Sequence, residues 1–245
     1  MSRLTGGIII LNKRKNKLAN TLFIVSTPIG NLQDITLRAI ETLKEVNFIA
    51  CEDTRVTGFL LNHLLIKKEL MSLNAANENS KTDYVIGRIL NGENCALVSD
   101  AGTPGISDPG VRLISAAIKA GVDIVPIPGV TAAITALSIS GLPTDAFVFE
   151  GFLPQKKGRQ KKLIELSSEN RTIILYESTY RIEKLINELA EHMPERLIVV
   201  CRELTKKFEE VWRGTPTKLK EEFKEKTTKG EFVVVISPKN WEERN

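Results

Sequence analysis

The chain has 245 residues, of which 42% are hydrophobic and 26% charged. This usage is typical of globular proteins, excludes a disordered or collagen-like chain, and suffices for one large domain or two smaller ones. No apolar run approaches the roughly 18 residues that a membrane span needs. The run at residues 8–11 is also too short for the core of a secretory signal. We therefore expect a cytoplasmic protein that does not associate with a membrane.

The net charge of +4 is unevenly distributed. Residues 1–20 carry five basic side chains and no acid, which leaves a net charge of −1 for residues 21–245. A second cluster without an acidic residue consists of Lys156, Lys157, Arg159, Lys161 and Lys162. Basic clusters on a nearly neutral body are typical of a protein that binds phosphate groups, although a solubilising tail and a solvated helix start produce the same pattern.

Short apolar runs alternate with helical periods in the first half of the chain. The runs that predict buried strands cover residues 22–26, 48–51, 70–73, 96–99 and 122–126. Helical spacing predicts a helix at 36–45 and another, of small and apolar residues, at 130–140. Strands that alternate with helices predict a parallel sheet covered on both faces.

The pattern changes after residue 140, where glycines and prolines follow one another closely at Gly141, Pro143, Gly151 and Pro154. We place a domain boundary there, which gives a basic extension at 1–20, a first domain at 21–141 and a second at 142–245. The second half again alternates strand and helix, at 172–176, 180–191, 197–201, 217–226 and 231–236. The sequence therefore predicts two α/β domains.

Three loops of the first domain, at 26–31, 99–110 and 126–132, follow predicted strands and contain glycine and proline. Because the carboxyl ends of parallel strands meet at one edge of a sheet, these loops are expected to converge on a ligand. The middle loop has three glycines and two prolines, so its backbone can approach a ligand along a fixed path. Within it we expect Asp108 to cap a helix that starts at Pro109.

The segment 51–55 has the sequence Cys-Glu-Asp-Thr-Arg and leaves two interpretations open. Its polar side chains could orient a substrate at the edge of the sheet. Alternatively, Asp53 caps the helix that starts near Thr54, and Arg55 pairs with Asp53 at the surface.

Several common sites are absent from the sequence. It contains no dinucleotide-binding glycine motif, no P-loop and no serine-nucleophile elbow. The three cysteines, Cys51, Cys95 and Cys201, are too far apart for a zinc-finger pattern and are predicted to be reduced core thiols. With only two histidines, a metal site is not expected.

The loop at 99–110, Ser-Asp-Ala-Gly-Thr-Pro-Gly-Ile-Ser-Asp-Pro-Gly, resembles the signature of the RsmI family. These are bacterial 2′-O-ribose methyltransferases of small-subunit ribosomal RNA, within the tetrapyrrole-methylase superfamily. The resemblance covers about residues 21–237 and leaves the basic extension outside it. Further segments similar to the family are 27–31, 51–55, 128–132, 175–178, 201–206 and 230–232.

The resemblance implies two α/β domains of tetrapyrrole-methylase type, with S-adenosylmethionine in the cleft between them, in a homodimer. The residues implied to line the cofactor are Pro28, Asp100, Ala101, Gly102, Thr103, Ile106, Thr131, Ala132, Tyr176, Glu177 and Arg202. Tetrapyrrole-modifying relatives have Gly-Asp-Pro where this chain has Gly102-Thr103-Pro104, which argues against a porphyrin substrate.

The implied reaction is methylation of the ribose 2′-hydroxyl of a cytidine in 16S rRNA, within the small ribosomal subunit. Candidates for the base that takes the hydroxyl proton are Asp100, Asp53 and Glu177. The residues expected to contact RNA phosphates are Arg55, Lys156, Lys157, Arg159, Lys161 and Lys162. A flipped cytidine could stack on Phe152, Tyr176 or Tyr180. The alternatives are a tetrapyrrole-precursor C-methyltransferase and a non-catalytic RNA-binding assembly factor.

Overall fold

A computed structural model describes residues 20–223 and 227–241. Of the predicted extension, 1–20, only Asn20 lies within these ranges, so the rest of that segment lies outside the described residues. Two five-stranded sheets make up the fold: the strands of the first all precede residue 141, and those of the second all follow it.

The first sheet is entirely parallel, as the sequence predicts, with the strand order β3-β2-β4-β1-β5. Its strands are β1 (Thr21–Val25), β2 (Phe48–Cys51), β3 (Glu69–Ser72), β4 (Cys95–Val98) and β5 (Asp123–Ile127). The accompanying helices are α1 (Leu37–Glu45), α2 (Thr54–His63), α3 (Glu78–Leu90), α4 (Val111–Lys119) and α5 (Ala132–Ser138). Every residue of β2 and β4 is buried, because helices cover both faces of these central strands.

Alternate residues of each strand serve the two faces of the first sheet. Leu22 and Phe48 pack with the apolar sides of α3 and α4, whereas Val25 and Ile49 pack with those of α1 and α2. The two resulting apolar layers hold the strands in position. The loops that follow β1, β4 and β5 are therefore held at one edge of the sheet.

The second sheet has the order β6-β7-β10-β8-β9, in which only β6 and β7 run parallel. Its strands are β6 (Phe147–Phe152), β7 (Thr172–Ser178), β8 (Ile198–Arg202), β9 (Glu210–Gly214) and β10 (Glu231–Ile236). The helices α6 (Arg159–Ser167), α7 (Ile182–His192) and α8 (Pro216–Glu222) cover one face. The sequence patterns did not predict the edge strands β6 and β9, which lack a buried apolar run.

The other face of the second sheet packs against helix α5 of the first domain. Ala133, Ala136 and Leu137 are buried there against Val199, Val233 and other residues of the sheet. Alanine side chains let the helix approach the sheet closely, and the contact is mainly apolar. An apolar interface of this kind holds the two sheets in a fixed relative position.

Cys51, Cys95 and Cys201 are buried and unpaired, which confirms the prediction of reduced core thiols. Burial raises the thiol pKa of Cys95 to about 12 and that of Cys201 to about 11. Within the described ranges, no helix has the length and hydrophobicity that a membrane crossing requires.

Candidate cofactor and substrate site

The three glycine- and proline-containing loops of the first domain converge, as predicted from the shared edge of a parallel sheet. Thr27 and Gly102 exchange two backbone hydrogen bonds of 2.9 and 3.0 Å, which join the loops after β1 and β4. The Thr103 hydroxyl lies 2.9 Å from the Ser26 hydroxyl and 3.3 Å from the Val130 carbonyl oxygen. Thr103 therefore ties the middle loop to both of its neighbours.

A cavity of about 340 Å³ lies between these loops and the second sheet. We call it the first cavity; its size is within the range of small-molecule sites. Of the residues expected to line the cofactor, those that line this cavity are Ala101, Gly102, Thr103, Ile106, Thr131, Ala132, Tyr176 and Glu177. Phe152, Cys201, Leu204 and Val233 add apolar surface from the second domain.

A second cavity, of about 370 Å³, adjoins the first. Pro28 and Asp100 line this second cavity rather than the first, together with Val56 and Phe59 of helix α2. Four residues line both cavities and so form their common wall: Ile29, Ala101, Lys206 and Glu231. Neither Lys206 nor Glu231 was predicted from the sequence as a site residue, although both lie in segments similar to the family.

Tyr176 anchors the first cavity. Its hydroxyl accepts a hydrogen bond of 3.1 Å from the backbone N–H of Ala133, in the first turn of α5. Its ring makes edge-to-face contacts with Phe149 and Phe152, at centroid distances of 5.0 and 5.7 Å. Burial raises the pKa of Tyr176, so the phenol stays neutral near pH 7 and presents an aromatic wall without charge.

Asp100 and Asp53 lie in very different electrostatic environments. Burial and the nearby Asp53 carboxylate raise the pKa of Asp100, although its carboxylate accepts a 3.0 Å hydrogen bond from the Asp53 backbone N–H. The side chain of Asp53 caps α2 by accepting from the Arg55 N–H at 2.8 Å, and it also pairs with the Arg55 guanidinium. Those hydrogen bonds lower the pKa of Asp53 to about 2. The capping interpretation of this segment is therefore confirmed.

Asp108 does not cap a helix, contrary to the prediction. Helix α4 begins at Val111, and a buried carboxylate from α3 caps it, since Glu78 Oε1 accepts from the N–H groups of Gly110 and Arg112 at 3.1 Å each. Asp108 lines the first cavity instead, where burial raises the pKa of its carboxylate. Only the tertiary fold places Glu78 at this helix terminus.

Arg159 is buried, with 2% of its surface exposed, and this corrects its prediction as an RNA contact. Its guanidinium lies 2.8 Å from a Glu188 carboxylate oxygen and 3.5 Å from one of Glu177. The Glu177 carboxylate also pairs with Arg181 at 2.8 Å and accepts from the Ser178 N–H. Glu177 thus lines the first cavity, while its buried carboxylate is held by two guanidinium groups and a backbone N–H.

Arg202 does not line either cavity, contrary to the expectation that it approaches the cofactor. It is buried, and its guanidinium donates to the carbonyl oxygens of Lys229 and Phe208 and to the Glu210 carboxylate. Its role is to hold β8, β9 and the segment before β10 together.

The remaining predicted RNA contacts differ in exposure. Lys156, Lys157 and Lys161 are exposed, and Arg55 has 89% of its side chain accessible even though it pairs with Asp53. Lys162 lies 3.3 Å from carboxylate oxygens of both Glu150 and Glu165 and is only partly exposed. The described residues include no cluster of histidine, cysteine or acidic side chains that could hold a metal ion.

The first cavity suits a ligand that combines an apolar and a polar part. Gly102 lines the cavity with a φ of +80°, a left-handed conformation that favours glycine. A Cβ atom on Gly129 would lie 2.8 Å from the Ser26 Cβ, so the first and third loops also need glycine to approach each other. A mixed lining of polar groups and apolar side chains, with an aromatic wall, can hold a nucleoside with a charged side arm.

Comparisons with known proteins define the class first. Residues 21–220 match the model of the Tetrapyrrole (Corrin/Porphyrin) Methylases. The fold matches that of diphthine synthase with a TM-score of 0.70 at 15% identity, covering 89% of this chain and 90% of that one. It also matches a uroporphyrin-III C-methyltransferase from Thermus thermophilus complexed with S-adenyl homocysteine, with a TM-score of 0.63 at 16% identity over 88% and 96% of the two chains. The chain thus belongs to the tetrapyrrole methylases, a class of S-adenosylmethionine-dependent methyltransferases.

Curated relatives narrow the class to one family. Ribosomal RNA small subunit methyltransferase I from Synechocystis sp. is 49% identical over 225 residues, which are 91% of this chain and 81% of the relative. The protein of that name from Escherichia coli O157:H7 is 47% identical over 222 residues, covering 88% and 77%. The chain belongs to this family, RsmI, as its sequence motifs indicate.

Proposed function

We propose that this chain transfers a methyl group from S-adenosylmethionine to the ribose 2′-hydroxyl of a cytidine in 16S rRNA of the small ribosomal subunit. The observation that carries the proposal is the pair of adjoining cavities, with Asp100 among the residues that line the second. The first cavity would hold the cofactor and the second the ribose. The printed names of the relatives, which specify small-subunit ribosomal RNA, support this substrate.

The first cavity would hold the cofactor through the loop Ala101–Thr103, the start of α5 and Tyr176. When bound, S-adenosylmethionine supplies a methyl group on a positively charged sulfur. The loops contribute a fixed orientation, because Thr27, Gly102 and Thr103 are locked together by hydrogen bonds before any ligand arrives. Alignment of the donor with the acceptor oxygen supplies a large part of the rate increase in a displacement of this kind.

Asp100 is the proton acceptor that we assign among the three candidates. Asp100 lines the second cavity and its carboxylate has a raised pKa, so it takes up a proton more readily than an ordinary aspartate. Asp53 is too weak a base because of its pairing with Arg55, and Glu177 is held by two guanidinium groups. The hydroxyl oxygen would gain the methyl group and lose its proton to Asp100, which passes the proton to solvent.

RNA would be bound by the exposed basic side chains Lys156, Lys157, Lys161 and Arg55. Val56, which follows Arg55 in the sequence, lines the second cavity, so Arg55 is suited to a phosphate near the bound ribose. Phe152 lies in the wall of the first cavity and is half exposed, which makes it the best-placed candidate for stacking on a flipped base. Tyr176 is committed to Ala133 and the cavity wall.

A tetrapyrrole substrate is less well supported. Tetrapyrrole-modifying relatives have an aspartate where this chain has Thr103, and the Thr103 hydroxyl is occupied by Ser26 and Val130. A purely structural RNA-binding role would not require two adjoining cavities with a carboxylate in one of them. The homodimer and the cytoplasmic location remain predictions, the first of which analytical ultracentrifugation can test.

The deciding experiment is methyl transfer from tritiated S-adenosylmethionine to 30S subunits from a strain that lacks the modification. We expect label in 16S rRNA, and mass spectrometry of the digested RNA should identify 2′-O-methylcytidine. Label on a different nucleoside would overturn the assignment of the acceptor. Transfer to uroporphyrinogen but not to subunits would establish the tetrapyrrole alternative, and cofactor binding without any transfer would establish the non-catalytic one.

A further inference from the structure

Lys206 lies in the wall that separates the first cavity from the second. Of the four residues that line both cavities, only Lys206 and Glu231 have ionisable side chains. In the proposed reaction the acceptor oxygen must lie where the two cavities meet. A charge in this wall therefore acts closer to the acceptor than the exposed lysines of segment 156–161, none of which lines either cavity.

The backbone around Lys206 is built to hold it in place. Glu203 and Thr205 have φ values of +48° and +66°, a left-handed conformation that is costly for residues other than glycine. Such strain persists only where surrounding contacts enforce it, and it is concentrated at functional sites. The turn formed by residues 203–206 is thus a candidate functional element in its own right.

A loop of the first domain provides the enforcing contacts. The Asn31 N–H donates a 3.1 Å hydrogen bond to the Thr205 hydroxyl, across the cleft between the domains. A Cβ atom on Gly30 would lie 2.8 Å from that hydroxyl and would overlap the Lys206 side chain. Gly30 is therefore required because the stem of Lys206 passes directly over it, not because of its φ angle.

The two carboxylate partners of the Lys206 ammonium are unequal. Glu203 is 3.0 Å away, largely buried, and also accepts a 2.9 Å hydrogen bond from the Glu231 N–H. Glu231 is 2.8 Å away, but 78% of its side chain is exposed. Burial disfavours the ammonium, yet the hydrogen bonds to Glu231 and Glu203 outweigh it and raise the pKa of Lys206. Lys206 is therefore a permanent cation with one fixed partner and one that an incoming anion can replace.

We propose that Lys206 is a substrate-binding residue whose ammonium binds an RNA phosphate at the junction of the two cavities, in exchange for the carboxylate of Glu231. This inference rests on the proposed function, since it assumes an RNA acceptor in the second cavity. Glu203 keeps the ammonium in position while a phosphate oxygen replaces Glu231 as its second partner. Charge-assisted hydrogen bonds of this kind are short and strong. They would fix the ribose adjoining that phosphate next to the first cavity.

The first test replaces Lys206 and measures binding of unmodified 30S subunits over a range of salt concentrations. Lys206→Met is expected to weaken binding about tenfold, the effect of losing one charge-assisted hydrogen bond. It should also reduce the slope of log affinity against log salt by about 0.7, as expected for one phosphate contact to a single strand. Lys206→Arg should retain most of the affinity and the full slope, which separates loss of charge from damage to the fold.

The second test asks whether neutralising Glu231 raises or lowers the affinity for 30S subunits. If its carboxylate competes with RNA for Lys206, Glu231→Gln should strengthen subunit binding, and the gain should vanish in a Lys206→Met background. Glu191→Gln is the matched control, because Glu191 is an exposed glutamate of α7 that lines neither cavity. Any gain from Glu191→Gln should be the same with and without Lys206. Additive effects of Glu231→Gln and Lys206→Met would overturn the exchange.

The carboxylate of the cofactor is the other anion that Lys206 could bind. Calorimetry with S-adenosylhomocysteine distinguishes the two, because we expect Lys206→Met to leave its affinity unchanged. A tenfold loss in that titration, with an unchanged salt slope for subunits, would overturn the phosphate assignment. A wild-type protein that neither binds nor methylates 30S subunits would instead refute the proposed function. The two failures are therefore distinguishable.

Discussion

The guanidinium of Arg159 lies 2.8 Å from the carboxylate of Glu188, and both side chains are buried. The same guanidinium faces Glu177, which reaches the wall of the first cavity. Arg159 belongs to a basic cluster in the sequence, yet it lies in the interior and pairs with a residue that lines the first cavity. Lys156, Lys157 and Lys161, its neighbours in the sequence, remain on the surface.

Arg159→Met is expected to destabilise the protein by about 3 kcal/mol, because it leaves the Glu188 carboxylate buried without its main partner. Lys161→Met, in the same helix, should change the free energy of unfolding by less than about 0.5 kcal/mol, as is usual for an exposed side chain. Urea denaturation of the two variants measures the difference. Equal stabilities would show that the buried cluster contributes no net stabilisation.

Neutralising Lys156, Lys157 and Lys161 together is expected to weaken binding to 30S subunits while leaving the cofactor affinity intact. If each lysine contacts one phosphate of a single strand, the salt slope should fall by about 2 in total. Binding titrations at several potassium chloride concentrations give the slope, and calorimetry with S-adenosylhomocysteine gives the control. An unchanged slope would reassign these lysines to an ordinary solvated surface.

Gly102→Val is expected to abolish cofactor binding. At φ +80° a Cβ atom would lie 3.4 Å from the side chain of Ile29, which lines the first cavity, and we expect the further methyl groups of valine to displace that side chain. Gly121→Val is the matched control, since Gly121 has a φ of +71° but nothing within 4 Å of its Cβ position. Backbone strain should lower the free energy of unfolding of both variants by a similar amount, about 1–3 kcal/mol. Thermal unfolding measures this loss. An unchanged calorimetric affinity of Gly102→Val for S-adenosylhomocysteine would overturn the assignment of the cofactor loop.

Asp100→Asn is expected to reduce kcat at least about 100-fold, the usual contribution of a positioned general base. It should not lower stability at pH 7. The folded-state pKa of Asp100 is raised, so the native state binds more protons than the unfolded state between the two pKa values, and ionisation works against folding. Asparagine can still accept the hydrogen bond from the Asp53 N–H. A large loss of stability with little loss of kcat would assign Asp100 a structural role.

Arg55→Gln is expected to raise the pKa of Asp53 from about 2 towards the ordinary value of an aspartate. Because the folded-state pKa is lowered, Asp53 stabilises the protein above its unfolded-state pKa and loses this contribution as the pH falls towards 2. The variant should therefore be less sensitive to acid between about pH 4 and 2. Side-chain carboxyl NMR shifts followed over that range measure the pKa directly, and an unchanged value would show that the helix terminus alone lowers it.

The local sequence determined the elements whose environment is uniform along their length. The runs that became β2 and β4 are apolar at every position because helices cover both faces of the sheet, so their burial is visible in the sequence. The loops after β1, β4 and β5 were identified from glycine and proline, which control the backbone locally. Their convergence followed from the rule that parallel strands end at one edge.

The edge strands of the second sheet and the cap of α4 depended on partners far away in the chain. Strand β9 is partly exposed and charged and forms only because β8 offers it a free edge. Asp108 had every local property of a helix cap, yet Glu78, more than thirty residues earlier, takes that role. A cap from another helix leaves no mark in the sequence next to the terminus that it caps.

The tertiary structure alone decided which charged residues serve the site. Arg159 stands among lysines in the sequence, but Glu177 and Glu188 come from other elements and draw it into the interior. Lys206 reaches the common wall of the two cavities only because its turn crosses to Gly30 and Asn31 of the other domain. The pattern of apolar residues along a helix or strand shows which of its faces is buried. The pairing of charges is set by side chains that the fold brings together from distant positions, and it becomes visible only once the chain is folded.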